Sequence, residues 1–487
     1  MKTPRVLLIH FHFPPDGLVG TQITAKFAKY LPDHGWDAFV LTASDRYYTR
    51  IDPTTLQDVA RPDRVYRTRC IPHPRAGYLF LKSVLRRRHG TSASAATGQS
   101  APAFLHARGT PGLRASGAPP SRADPQRLRA SHPAAPLAAA SPLRKVVRSL
   151  VTVPDTLTGW IPMATAAGVR LIGRHRIDCL FSSGPPWTNH LVALLLKRIT
   201  RRPWLACFED PWTLIKSTLA PEDVTPVSLA IERRLERAVV RHADAIICLN
   251  DHHRAAMIAQ FSDCAPEKFV TIPNGYDPAE FAHQARSAPP PNRLVVTHAG
   301  TLYYGRTPRE LFMAVRRLVD RGLVSPGGLS LHFIGANLLA NGQSVEGLAR
   351  ACGVESMVSI RPPVSHPAAV RAMCASHLLL VLAHGWVLQV PAKVYEYLRI
   401  GRPILALAPE GATADLIRAS GAGAVFDPSD IDGITRHLAD QVRRFQYGQR
   451  FEVDTTRFSE QFDRRRHTRT LAALLDRLHQ HPPATLS

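Results

Sequence analysis

Short unbroken apolar runs alternate with amphipathic stretches along most of the chain. The run RVLLIH at 5–10 is followed by a Pro/Gly-rich loop at 13–20, by apolar residues at helical spacing over 21–31, and by a second run, AFVLT, at 38–42. A helix between two continuous apolar strands predicts a parallel βαβ unit, because a strand covered by helices on both faces needs no polar side. The rhythm resumes at DCLFS (178–182), a helix over 189–199, WLACF (204–208), a charged helix near 229–242 and AIICL (245–249). After the Pro-rich connector at 288–292 it starts again, with strands expected at 293–299, 330–334, 358–360, 378–382, 404–407 and 424–426. The predicted class is α/β, with two Rossmann-like doubly wound domains facing a central cleft lined by the carboxyl ends of the strands. Their expected bounds are 1–285 and 290–455. Within 456–487, a last amphipathic helix over 459–479 is expected to pack back on the first domain.

One stretch breaks the pattern. Residues 82–150 are rich in Ala, Pro, Ser and Gly without helical or strand periodicity, and they carry twelve Lys/Arg against one acid, Asp124. A segment of this kind buries too little apolar surface to offset its ordering entropy, so a disordered insertion is expected. Of the chain's net charge of +23, from 61 Lys/Arg against 38 Asp/Glu in 487 residues, about half lies there. The insertion reads either as a basic flap that draws the protein to anionic lipid or polymer, or as a solvated arginine-rich segment. With Phe104 its single aromatic residue, it lacks the stacking surface of a single-strand binder, so no nucleic-acid partner is expected. Seven scattered cysteines without a CxxC pair point to a reducing cytoplasmic compartment. No run approaches the roughly 18 apolar residues of a membrane span.

The candidate chemistry lies at strand ends. Lys393 and Glu396, three apart, share one helix face between Pro391, suited to the first turn, and Gly401, suited to the C-cap. A positive helix end with a lysine and a carboxylate can hold a diphosphate and a ribose diol, and the spacing equally fits a surface ion pair. Gly300, Thr301 and Arg306 follow another strand. Backbone could approach phosphate there, and a guanidinium suits its geometry; an ordinary βα turn has the same pattern. In the first domain, Gly17 and Gly20 lie in a loop over the cleft. Ser183 and His190 follow one strand and Glu209 and Asp210 another. His190 could orient or deprotonate an acceptor hydroxyl, or be an exposed first-turn histidine. Asp210 could bind an acceptor hydroxyl. No metal site is expected: His10 and His12 lack a third ligand nearby, and Asp430 with Asp432 reads as a helix-start cap. Asp251, His252 and His253 read as a polar first turn. Walker A and GxSxG motifs do not occur.

Taken together, FPP…G (13–20), VPDTLTGW (153–160), SSGPP (182–186), DPW (210–212), IPNGYD (272–277), GTL (300–302) and PAKVYEY (391–397) resemble the family-4 retaining glycosyltransferases of the GT-B fold, of the bacterial surface-polysaccharide type. The resemblance spans most of the chain, outside the basic insertion and the extreme tail. It implies that Glu396 binds the donor ribose, that Lys393 and Arg306 stabilise the departing nucleoside diphosphate beside Gly300 and Thr301, and that the acceptor lies near Gly17, Gly20, Ser183, His190 and Asp210. The donor would be a nucleotide-sugar co-substrate, with no cofactor or obligatory metal, and the acceptor a glycan or lipid-linked glycan. Three positions depart from the family. Leu388 replaces a glutamate that contacts the donor sugar, for which Gln389 or His384 would have to substitute. Pro391 stands near a glycine that offers its amide to phosphate, and Glu209 stands where relatives tend to have arginine.

The expected function is hexosyltransferase-like glycosyl transfer in surface polysaccharide synthesis, cytoplasmic or peripheral on the cytoplasmic membrane face. The alternatives are a sugar-nucleotide epimerase of the same architecture and a non-enzymatic basic protein binding anionic lipid or polymer.

Overall fold

A computed structural model describes residues 3–71 and 152–480, apart from residue 19 and residues 220–223, 283–287, 303–304, 337–338 and 341–342. The basic stretch at 82–150 lies outside the described residues.

The first sheet comprises β1 (Arg5–Ile9), β2 (Asp37–Ala43), β3 (Val65–Thr68), β4 (Cys179–Gly184), β5 (Trp204–Phe208), β6 (Ala245–Cys248) and β7 (Phe269–Thr271). All its pairings are parallel, in the order β3-β2-β1-β4-β5-β6-β7. The second sheet begins with β8 (Leu294–Ala299) and β9 (Leu329–Ile334). A two-residue hairpin, β10 (Leu339–Ala340) with β11 (Gln343–Ser344), precedes β12 (Val358–Arg361), β13 (Leu378–Leu382), β14 (Ile404–Leu407) and β15 (Gly423–Phe426). Its parallel order is β12-β9-β8-β13-β14-β15. In both sheets the order reverses beside the first strand, and crevices for ligands form at such points.

Alternation along the strands builds two cores per sheet. Leu7, Ile9, Phe39 and Leu41 pack on one face of the first sheet, whereas Val6, Leu8, Val40 and Phe181 pack on the other. That second face is covered partly by Leu471, Leu474 and Leu475 of the terminal helix Arg464–Gln480. Each leucine so buried contributes about 1.5–3 kcal/mol, and Trp36 Nε1 adds a hydrogen bond to Asp476 Oδ1 at 2.9 Å.

Where a single helix was expected over 459–479, the chain forms a short helix Thr456–Ser459, a 3₁₀ turn Glu460–Phe462 and then the long helix. The break at Asp463 has a physical cause. Extended there, the backbone pairs with the segment that links β7 to β8, which is the connector between the two sheets and begins well before 288: Tyr276 N–H donates to the Phe462 carbonyl and Arg464 N–H to the Tyr276 carbonyl, both at 3.1 Å. Gly275 makes this approach possible, since a Cβ at that position would fall 2.1 Å from the Phe462 carbonyl oxygen. Pro391 likewise stands one residue earlier than the first-turn position, immediately before the helix Ala392–Ile400, which Gly401 ends in the left-handed region at φ 74°.

Candidate functional site

The segments after the carboxyl ends of β1, β4 and β5 form one wall of the candidate site and those after β8 and β13 the other, the two touching through Asp210 and Gln389. On the second wall, Gly300 and Thr301 follow β8. Arg306 is buried, with its guanidinium 4.6 Å from the ring centre of Trp386. At the amino end of helix Ala392–Ile400, Lys393 Nζ lies 2.8 Å from both carboxylate oxygens of Glu396. His366 Nε2 is 3.2 Å from Glu396 Oε2. Burial alone would raise the Glu396 carboxyl, but Lys393 and His366 outweigh it and hold it down to about 2. Glu396 is thus an ionised acceptor fixed by two basic groups.

On the first wall, the loop after β1 is anchored at Gly17, whose N–H donates to the Arg50 carbonyl at 2.9 Å. A Cβ on Gly20 would lie 3.8 Å from Glu209 Oε2, which places the loop beside that carboxyl. Ser183 Oγ donates to Glu209 Oε1 at 2.6 Å. Desolvation raises both neighbouring acids, Glu209 to about 8 and Asp210 to about 6. Asp210 adds to the shift of Glu209, whereas Gln389 and Arg306 restrain that of Asp210. Such separated pKa values beside a cleft are a mark of functional sites.

The walls meet through Asp210, which accepts a hydrogen bond from Gln389 Nε2 and feels the charge of Arg306. Asn250 Nδ2 donates to the Leu388 carbonyl at 2.9 Å nearby. Gln389, offered as a substitute for the missing glutamate, is therefore turned toward the opposite wall. The other substitute, His384, faces Glu310 at 3.6 Å.

His190 corrects an expectation. It is neither exposed nor open to the cleft: the ring is fully buried, stacks on Phe208 at 4.8 Å and contacts Ser182 Oγ through Nδ1 at 2.8 Å. Burial lowers its pKa to about 3, leaving a neutral ring that braces the strand end below Ser183.

His10 and His12 are turned to local partners. His10 Nδ1 meets the His12 carbonyl at 2.5 Å, and His12 Nδ1 lies 2.6 Å from Asp16 Oδ2. Among the described residues, one carboxylate group has metal-like spacing, Asp58, Asp277 and Glu280. The Lys26 ammonium occupies its centre, 2.7 Å from an oxygen of each. Asp430 caps the helix Ile431–Gln446 by accepting from Gly433 N–H at 2.8 Å.

Sequence reading missed Arg464, His366, Lys26 and Glu280. Arg464 is buried at the start of the terminal helix, donates to Asn274 Oδ1 at 2.5 Å, and interacts electrostatically with both Glu209 and Glu396. It sits between the two walls. A run of three arginines at 464–466 gave no sign which one turns inward.

Residues 123–275 match the family described as Glycosyl transferase 4-like domain. The match begins inside the basic stretch, so residues 123–150 belong with the resemblance from which the motifs had left them out. HepE from Anabaena, solved in complex with UDP and glucose, superposes with a TM-score of 0.59 at 15% identity, over 97% of this chain and 99% of that one. Sucrose-phosphate synthase from Thermosynechococcus elongatus gives 0.59 at 13% identity, over 98% and 99%. A candidate UDP-N-acetylglucosamine 2-epimerase from Listeria monocytogenes gives 0.54 at 11% identity, over 99% and 98%. Curated protein sequences gave no match. The chain has the two-domain GT-B fold of the glycosyltransferases, and it carries a glycosyl transferase 4-like domain.

Proposed function

We propose that the protein transfers a sugar from a nucleoside-diphosphate donor to a glycan or lipid-linked acceptor, with retention, in surface polysaccharide synthesis. The observation that carries this reading is the Lys393–Glu396 pair at the amino end of its helix, on the wall that also bears Arg306. Glu396, ionised and braced, accepts the ribose hydroxyls. Lys393 and Arg306 meet the charge that develops on the departing diphosphate, the stabilisation on which such a transfer mainly depends. Gly300 and Thr301 border the diphosphate. The acceptor lies along Gly17, Gly20, Ser183 and Asp210, where closure of the walls excludes water. His190 supports this side from behind rather than touching the acceptor. The reaction as proposed uses no metal or cofactor. The basic stretch favours an anionic membrane surface on the cytoplasmic side, and among the described residues no helix is long and apolar enough to cross a membrane.

The fold is shared with an epimerase-like protein, so the test must separate the two reactions. Nucleoside diphosphate release from a matched nucleotide-sugar should rise several-fold when an acceptor glycan is added and should stop in Glu396→Ala. Acceptor-independent release with an epimerised sugar would replace transfer by epimerisation.

A further inference from the structure

We propose that His366 is a positioning residue that ties the donor-side carboxylate Glu396 to the connector between the domains, so that the contacts of the connector set nucleotide affinity. This rests on the reading of Glu396 as a nucleotide-binding group. His366 opens the helix His366–Cys374, on neither strand end that bears the candidate site residues of this wall. Its two ring nitrogens face different carboxylates: Nε2 lies 3.2 Å from Glu396 Oε2 and Nδ1 lies 3.7 Å from Glu280 Oε2. The ring is about a quarter exposed, whereas both carboxylates are 13% exposed.

Glu280 belongs to the turn Pro278–Glu280 that follows the IPNGYD segment. Its other oxygen accepts from Lys26 Nζ at 2.7 Å, and Lys26 is on the first helix of the N-terminal domain. A continuous chain of polar contacts therefore runs from Lys393 through Glu396, His366 and Glu280 to Lys26, with Asp277 and Asp58 completing the far end. Arg464 also interacts electrostatically with both Glu280 and Glu396.

A carboxylate that must accept two ribose hydroxyls needs one fixed orientation. Lys393 alone does not supply it, because an approaching diphosphate competes for the same ammonium. An imidazole that also donates to Glu396 Oε2 keeps the carboxylate in place when Lys393 turns to the ligand. Because the same ring faces Glu280, any shift of the connector against the C-terminal domain moves the brace.

The test is calorimetric titration of UDP, GDP, ADP and TDP into wild type, His366→Gln, Glu280→Gln and the double variant, with melting curves to establish that each is folded. For the nucleotide that binds wild type, His366→Gln is expected to weaken affinity about fivefold and Glu280→Gln about threefold, although Glu280 lies on the connector. The double variant should be no weaker than His366→Gln alone, the non-additivity expected of groups acting in series. His366→Asn serves where His366→Gln fails to fold. Unchanged affinity in folded His366 variants, or simple additivity in the double variant, would overturn the proposal while leaving the donor site standing. Failure of wild type to bind any of the four nucleotides would overturn the donor-site reading and the proposal with it.

Discussion

Lys26 Nζ lies 2.7 Å from Asp277 Oδ2 across 251 residues of sequence, and both side chains are essentially inaccessible to solvent. The pair joins the first helix to the connector, and Tyr30 donates to the other Asp277 oxygen at 2.6 Å. Without Lys26, Lys29 still reaches Asp58 and Asp277, but the three carboxylates then crowd around one lysine. Lys26→Met should therefore cost about 3–5 kcal/mol in urea unfolding, far more than the loss of an exposed lysine.

The same cluster sets an acid limit on stability. Burial would raise Asp277, but Lys26, Lys29 and Tyr30 outweigh it and hold the carboxyl well below the usual carboxylate range. An acid depressed in the folded state contributes stability above its ordinary pKa and loses it as the pH falls toward the folded value. Melting temperatures of wild type should thus drop below about pH 4, with a shallower drop in Asp277→Asn measured against its own value at neutral pH.

Glu209 acts in the opposite direction. Its folded pKa is raised to about 8, chiefly by desolvation and further by Asp210, so between its ordinary value of 4.5 and about 8 the native state holds more proton than the unfolded chain. Stability from this group is full at low pH and declines as the pH rises through that window. Glu209→Gln keeps an acceptor for Ser183 and should flatten the decline, melting above wild type at pH 8.5 but not at pH 5. A parallel decline in both proteins would contradict this.

Gly275 tests the junction between connector and terminal segment. A Cβ there would meet the Phe462 carbonyl at 2.1 Å and the His467 ring at 2.9 Å. Gly275→Ala should destabilise by about 1–3 kcal/mol, the usual cost of overpacking. Limited proteolysis near 456–463 should accelerate in the variant, because that segment is held by the Tyr276 pairing.

The inner strands were legible in the sequence because burial on both faces leaves no polar position to blur the pattern, as in LLLVL at 378–382. The edge strands Val65–Thr68 and Phe269–Thr271 were not. Each is only three or four residues long and partly buried; the equally short edge strands of the second sheet, Val358–Arg361 and Gly423–Phe426, were read from their place in the alternation of strand and helix. Lys393 and Glu396 could be found because helical spacing alone places them together. His366 and Arg464 could not: they reach the site from a helix start and from the terminal segment, and their relation to Glu396 exists only once the chain has folded. His190 could be placed at a strand end, but its enclosure by Trp187, Trp204 and Phe208 depends on packing between elements distant in sequence.

The most direct test of the donor site is thermal stabilisation by UDP, GDP, ADP and TDP sugars in wild type, Lys393→Ala and Glu396→Ala. A ligand that binds only the folded state raises the melting temperature by mass action. One nucleotide series should stabilise wild type, and either substitution should weaken that binding at least about tenfold, equivalent to about 1.4 kcal/mol. Equal stabilisation of wild type and both variants, or none by any series at millimolar concentration, would contradict the assignment of Lys393 and Glu396 to a nucleotide-sugar site.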